Sequence, residues 1–273
     1  MCFSNSLATN CVINMFSEYT PRLRHAAFAI WARNMLVWRK MLGSSIVINL
    51  GEPLLYLVAF GYGLGMFIGG QMDMPYLTFL ASGTLAASAM NTAGFEALFG
   101  VFTRMVPQKS YDAMLASPLE ITDILTGEIL WCATKAVIHG AGILLVAALL
   151  GAVADWRALW VLPILFLAGV TFAATALVVT ARASSYASFS YYTTLVMTPL
   201  MLLSGVFYPI TTLPPLLQEV VQWLPLVHVV DLVRPLVAGL PLTNVWSHLG
   251  ILIAYALGGY LIAVRFAKQR LSV

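Results

Sequence analysis

Charge is what this chain has least of. Its 273 residues include 14 Lys and Arg and 11 Asp and Glu, 9% in all, against roughly 25% in an ordinary soluble domain. So few charged side chains cannot cover a water-facing surface of that size. The composition therefore excludes a conventional soluble enzyme, and 60% apolar content excludes disorder. Cysteine is nearly as scarce: Cys2, Cys11 and Cys132 have no metal-ligand spacing and form no disulfide framework. There is no G-x-x-x-x-G-K-[ST] and no Gly-Lys pair, so no phosphate-cradling loop. There is no H-E-x-x-H and no G-x-S-x-G. The sequence thus offers no catalytic, cofactor-binding or metal site, and no basic stripe for nucleic acid. Residues 1–20 contain Glu18 but neither Lys nor Arg. They read as a loose cytoplasmic tail without a cleavable signal peptide.

What is present is apolar sequence in long runs, with a mean hydropathy of +0.89. A bilayer span needs about 20 predominantly apolar residues. Six segments qualify: 46–68, 76–99, 124–153, 159–181, 186–207 and 245–266. The expected fold is an all-α integral membrane domain covering residues 21–273. Orientation follows from the cations, which favour cytoplasmic flanks. Arg22, Arg24, Arg33, Arg39, Lys40, Arg104, Lys109, Arg182, Arg265, Lys268 and Arg270 fall on one side of a six-span arrangement. Arg157 and Arg234 fall on the other, and Lys135 lies inside a span. Both termini are expected in the cytoplasm, with the chain multi-pass in a cell membrane.

Residues 21–42 read as a helix lying on the membrane, because Phe28, Trp31, Met35 and Trp38 share one face and Arg22, Arg33 and Lys40 another. Between the second and third spans, Ser110–Ala116 forms a short cytoplasmic helix with an apolar edge of Tyr111, Met114 and Leu115. Such an edge suits a groove on another protein. Ser117-Pro118-Leu119-Glu120 reads as a capping box that starts the next long helix. Before the last span, six of the thirteen prolines lie within 208–241. They cut it into Leu216–Leu224 and Leu226–Ala238, each too short to cross, which read as an antiparallel re-entrant hairpin. Glu219, His228, Asp231 and Arg234 would sit at its outer mouth, with Asp231 and Arg234 close enough to pair.

Ionisable groups inside spans are costly and tend to face a bundle interior or a wet cavity. Ser45, Asn49, Glu52, Tyr56 and Gly63 share a face of the first span. Glu128, Lys135 and His139 fall within about one-ninth of a turn in the third. Ser184 to Thr194 crowds hydroxyls and Tyr186, Tyr191 and Tyr192 into the fifth, and Glu96 adds a carboxylate in the second. Two readings remain open. One is a polar, aromatic-lined passage formed by Asn49, Glu52, Tyr56, Glu128, Lys135, His139, Tyr191 and Tyr192, suited to a saccharide with flat C–H faces and many hydroxyls. The other is internal glue, with Ser and Thr bonding their own helices and Glu128 pairing with Lys135.

The ordered features resemble the ABC-2 family of ABC-exporter permeases over residues 21–270. The residues that carry the resemblance are Tyr111-Asp-Ala-Met-Leu-Ala-Ser-Pro-Leu and Leu203-Ser-Gly-Val-Phe-Tyr-Pro-Ile. The run Leu224-Pro-Leu-Val-His-Val-Val-Asp-Leu-Val-Arg-Pro-Leu is similar, more narrowly, to the NodJ-type nodulation branch. The resemblance implies a permease without its own nucleotide site, two copies pairing with two ATP-binding subunits of NodI-like type that hold ATP and Mg. It implies coupling to that subunit through Ser110, Tyr111, Asp112, Met114 and Leu115. It also implies an amphiphilic oligosaccharide cargo, an acylated oligomer of N-acetylglucosamine, moved across the inner membrane. A permease for another amphiphile, such as a lipid-linked polysaccharide or a hydrophobic drug, is the alternative. A membrane-embedded transferase using Glu128, Lys135 and His139 is a further one.

Overall fold

A computed structural model describes residues 25–63, 65 and 74–271, without the side chains of 44–50, 52, 53 and 62. The expected tail at 1–20, Arg22 and Arg24 lie outside the described residues. Among those described, every regular element is helical. In chain order these are α1 His25–Arg39, α2 Leu42–Gly63, α3 Tyr76–Met105, α4 Ser110–Leu115 and α5 Ile121–Leu149. They are followed by α6 Val161–Arg182, α7 over 187–203, α8 Pro215–Val221, α9 Pro225–Ala238 and α10 Val245–Leu271. A 3₁₀ turn, Trp156–Trp160, leads into α6.

Among the described residues each of the six apolar runs overlaps a helix; 64 and 66–68 of the first run lie outside them. Four of these helices are long and apolar enough to cross a membrane: α3, α5, α6 preceded by its 3₁₀ turn, and α10. α8 and α9 make a fifth if the bent pair counts as one span. The centre is α3, which packs on α2, α5, α6 and α9, while α6 packs on α5 and α10. Burial follows this order: the most apolar window of α3 is 72% buried and that of α10 only 33%. α10 is therefore the peripheral helix of the four.

Small residues set these distances. With little hydrophobic force between helices in lipid, close backbone approach supplies the attraction. A Cβ added to Gly169 on α6 would stand 2.7 Å from Ala133 Cα on α5, and one on Gly259 of α10 would stand 2.9 Å from the Ala174 carbonyl carbon on α6. The ends are tied as well. Arg270 Nη1 donates to the carbonyls of Thr180, Ala181 and Ala183 at 3.3, 3.2 and 2.7 Å, capping the C-terminal end of α6.

On α1 the packed stripe is Ala27, Ile30, Asn34 and Trp38; of the four large side chains expected on one face, Trp38 is buried, Trp31 and Met35 are half-buried and Phe28 is exposed. The small Ala27 lets α1 close on Gly127 of α5, where a Cβ would lie 2.6 Å from the Ala27 carbonyl oxygen. Two local expectations are corrected. First, the cap of α5 is Glu120, not Ser117. Glu120 and Asp123 form the reciprocal box, with Asp123 Oδ2 accepting the Glu120 N–H at 3.2 Å. Ser117 Oγ turns back to the Met114 carbonyl, 2.6 Å away. Second, α8 and α9 meet at 89° and are not antiparallel. α9 is the buried limb, and α8 is largely exposed, Leu216 and Val220 included.

Candidate coupling site and buried charge network

The two long helices α3 and α5 bring two acidic and two basic side chains together near α4. Arg104 lies at the end of α3. Its Nη2 and Nε donate to Glu128 of α5 at 2.7 and 3.0 Å. Its Nη1 and Nη2 donate to Glu96 Oε1 at 3.0 and 3.1 Å. Lys135 Nζ closes the set on Glu96 Oε2 at 2.9 Å. Two carboxylates and two cations balance in formal charge, which offsets part of the cost of holding them away from water. Glu128 has no exposed side-chain surface, and the other three keep 12 to 16%. Neutral donors complete the acceptors: Asn34 Nδ2 to Glu128 Oε2 at 2.9 Å and Trp131 Nε1 to Glu96 Oε1 at 3.1 Å.

Helix geometry explains how Glu96 and Arg104 meet. Eight residues of regular α-helix would leave them about 80° apart. The helix makes a π turn at Glu96–Gly100. That turn takes up one extra residue, so eight residues behave like about seven and the two side chains come within about 20°. Gly100 leaves room beneath the carboxylate, since a Cβ there would overlap the end of the Glu96 side chain and displace it.

The network touches α4 through α1. Arg33 Nη2 donates to Ser110 Oγ at 3.4 Å, one residue before Asn34. Tyr111 is wholly buried, against the expectation that it lines an exposed edge. Its hydroxyl has no hydrogen-bond partner, and burial, reinforced by the Glu128 carboxylate, pushes its pKa well above the ordinary phenol value. Tyr111 is thus an anchor that fixes α4 to the bundle. Met114 and Leu115 are half-buried against the same core. The surface α4 offers outward is Asp112, Ala113, Ala116 and Ser117.

The other sequence candidates separate. Asn49 and Glu52 have side chains outside those described. Tyr56 stacks on Phe60 at 5.8 Å and meets Phe207 edge-on at 5.9 Å. His139 is buried with Nδ1 3.3 Å from Thr92 Oγ1. Glu128 pairs with Arg104, not Lys135, because the intervening α3 supplies both charges. Tyr191 is exposed, whereas the Tyr192 hydroxyl reaches Thr175 Oγ1 at 3.5 Å. The hydroxyl-rich α7 contains a second π turn, Thr193–Met197. Sequence reasoning placed Arg104 among the flank cations and passed over Asn34 and Trp131. Their signal was an unbalanced pair of intramembrane carboxylates, which needs two cations and further donors.

At the far end of the bundle Asp231 and Arg234 form no ion pair. Arg234 instead donates from Nε to Ser82 Oγ at 3.2 Å and from Nη2 to the Gly205 carbonyl at 2.6 Å, with its guanidinium 3.8 Å over the Phe79 ring. Glu219 is exposed on α8.

Comparison with known proteins places this arrangement. Residues 25–237 match the family model described as ABC-2 type transporter. Nodulation protein J of Rhizobium meliloti (strain 1021) is 42% identical over 243 residues, covering 89% of this chain and 93% of that protein. Nodulation protein J of Rhizobium leguminosarum bv. viciae is 43% identical over 244 residues, covering 89% and 94%. That of Rhizobium leguminosarum bv. trifolii is 42% identical over 243 residues, covering 89% and 93%.

Proposed function

Since the chain belongs to the ABC-2 type transporter family, we propose that it is the membrane permease subunit of an ABC exporter whose cargo is a nodulation factor, an acylated oligomer of N-acetylglucosamine. The observation that carries this reading is the 42–43% identity to Nodulation protein J across 89% of the chain. Six spans, with α2 and α7 joining the four long helices, keep the eleven flank cations on one side. That side is the cytoplasm, it carries both termini, and the membrane is the bacterial inner membrane. ATP is hydrolysed by a separate NodI-like subunit, two of which bind two permeases.

The geometry supports a division of labour. α4 presents Asp112, Ala113 and Ala116 to the ATPase, and Tyr111 fixes it to the bundle. Movement of α4 reaches α1 through Ser110 and Arg33, then α5 and α3 through Asn34, Glu128 and Arg104. A charge network of this kind has alternative pairings, and a ligand or nucleotide that favours one pairing shifts the whole element. Glu128, Lys135 and His139 belong to that transmission element. The pathway lies along the exposed side of α7, where Tyr191 and Leu195 face outward, between two permease copies.

The test is the distribution of acylated chitooligosaccharides between cells and medium, measured by mass spectrometry with the gene deleted and restored. Retention in deleted cells that restoration reverses is the expected result. An unchanged distribution would remove the cargo assignment.

A further inference from the structure

The bend between α8 and α9, α9 itself and the start of α10 line a half-open cavity of about 710 Å³ at the far end of the bundle, within the roughly 300–1,000 Å³ typical of small-ligand sites. We propose that this cavity is a saccharide subsite on the exit side, which holds a ring of the cargo after it has crossed. The inference rests on the export reading above for its sidedness and cargo class.

Its chemistry is that of a neutral ligand rich in donors. Asp231 lines the cavity, and its carboxylate accepts no hydrogen bond from the described residues. One turn earlier, His228 is 6% exposed and its Nδ1 lies 2.9 Å from Nδ1 of His248. One ring donates and the other accepts, which joins α9 to α10. The His228 ring is also directed at the Gln222 backbone. A half-buried carboxylate that accepts no hydrogen bond is costly alone and is satisfied by a ligand with hydroxyl and amide donors. Arg234 balances the charge of Asp231, but its guanidinium is engaged by Ser82, the Gly205 carbonyl and the Phe79 ring. It is not presented as an anion clamp, so a phosphate is not the favoured occupant.

The rim supplies the remaining recognition. Trp223 lies at the bend between α8 and α9, with Gln222 beside it and Asn244 across the opening. Its carbonyl accepts the Tyr255 hydroxyl of α10 at 2.9 Å, which holds the bend in place. An indole face with side-chain amides nearby suits a pyranose carrying an acetamido group.

The experiment uses the full permease with its ATPase partner in lipid nanodiscs and chitotetraose as the probe, read by saturation-transfer NMR. Binding is expected, and Asp231→Ala and Trp223→Ala should each weaken it by about tenfold. Gln222→Ala, an exposed site whose loss leaves the fold intact, should weaken it by about threefold with an unchanged melting curve. Absence of binding, or equal affinity in all three variants, overturns the proposal. So does displacement of chitotetraose by inorganic phosphate, which would make this an anion site. Export that survives gene deletion while Asp231-dependent binding persists would refute the export reading and leave the subsite. Gene-dependent export without binding would do the reverse.

Discussion

Replacing Arg104 by leucine leaves Glu96 and Glu128 with one cation between them. Glu128 loses both of its contacts to the guanidinium, at 2.7 and 3.0 Å, and keeps only the Asn34 amide. An uncompensated charge in a site with no exposed surface costs about 3–5 kcal/mol. At roughly 2–4 °C per kcal/mol for a chain of this size, 3 kcal/mol lowers the unfolding midpoint by about 6–12 °C. The double variant Arg104→Leu/Glu128→Gln removes one charge of each sign and leaves Glu96 with Lys135. It should recover at least half of the loss, whereas independent sites would add their costs. Arg104→Lys should fall between, since an ammonium cannot fork to both carboxylates. The assay is fluorescence-detected thermal unfolding of the purified permease in nanodiscs. A single variant melting within 2 °C of the parent protein, or a double variant no better than the single, would refute the network as a unit.

Further outcomes are expected elsewhere. Tyr111→Phe removes a buried hydroxyl without a partner and should leave the melting midpoint unchanged or slightly raised, while Tyr111→Ala should cost about 3–5 kcal/mol through the cavity it opens. Both are read from melting curves. Asp112→Arg, on the exposed side of α4, should leave the midpoint within 2 °C and lower ATP-coupled export by about tenfold or more. ATP turnover beside export measures it. Gly169→Ala drives a methyl against the Ala133 backbone and should destabilise by about 1–3 kcal/mol. Gly250→Ala, where a Cβ meets nothing within 4 Å, should not, and the paired melts decide the matter.

How much of this could be read in the sequence depended on which physical regularity applied. Apolar runs of span length are dictated by solvent, and among the described residues each overlaps a helix. Proline marked the breaks at 214–215 and 225 correctly, because a ring without an N–H starts a helix well and continues one poorly. It did not reveal the angle between the pieces, which the packing of α9 on α3 determines. The π turn at Glu96 was hidden because counting by a uniform 3.6 residues separates Glu96 from Arg104. The packed stripe of α1 was hidden because contact between helices in lipid rewards small residues such as Ala27 and Gly127. Asn34 looked like an ordinary polar residue in an amphipathic helix until Glu128 stood opposite it. Tyr111 was recognised as important for α4 but assigned to the wrong side, because a six-residue helix carries too few positions to define a face.

The charge network also bears on how the chain enters the membrane. Taken singly, a central lysine or acidic residue opposes insertion of its helix by about 2.5–3.5 kcal/mol. Glu96 and Arg104 reside on α3, Glu128 and Lys135 on α5, and each helix carries the counter-charges of the other. The two are consecutive in the chain, joined only by the segment that holds α4. They therefore enter the bilayer most readily as a pair, with the charges matched before lipid surrounds them. The segment between them, which holds α4, is thus fixed in place by the same step that pairs the charges.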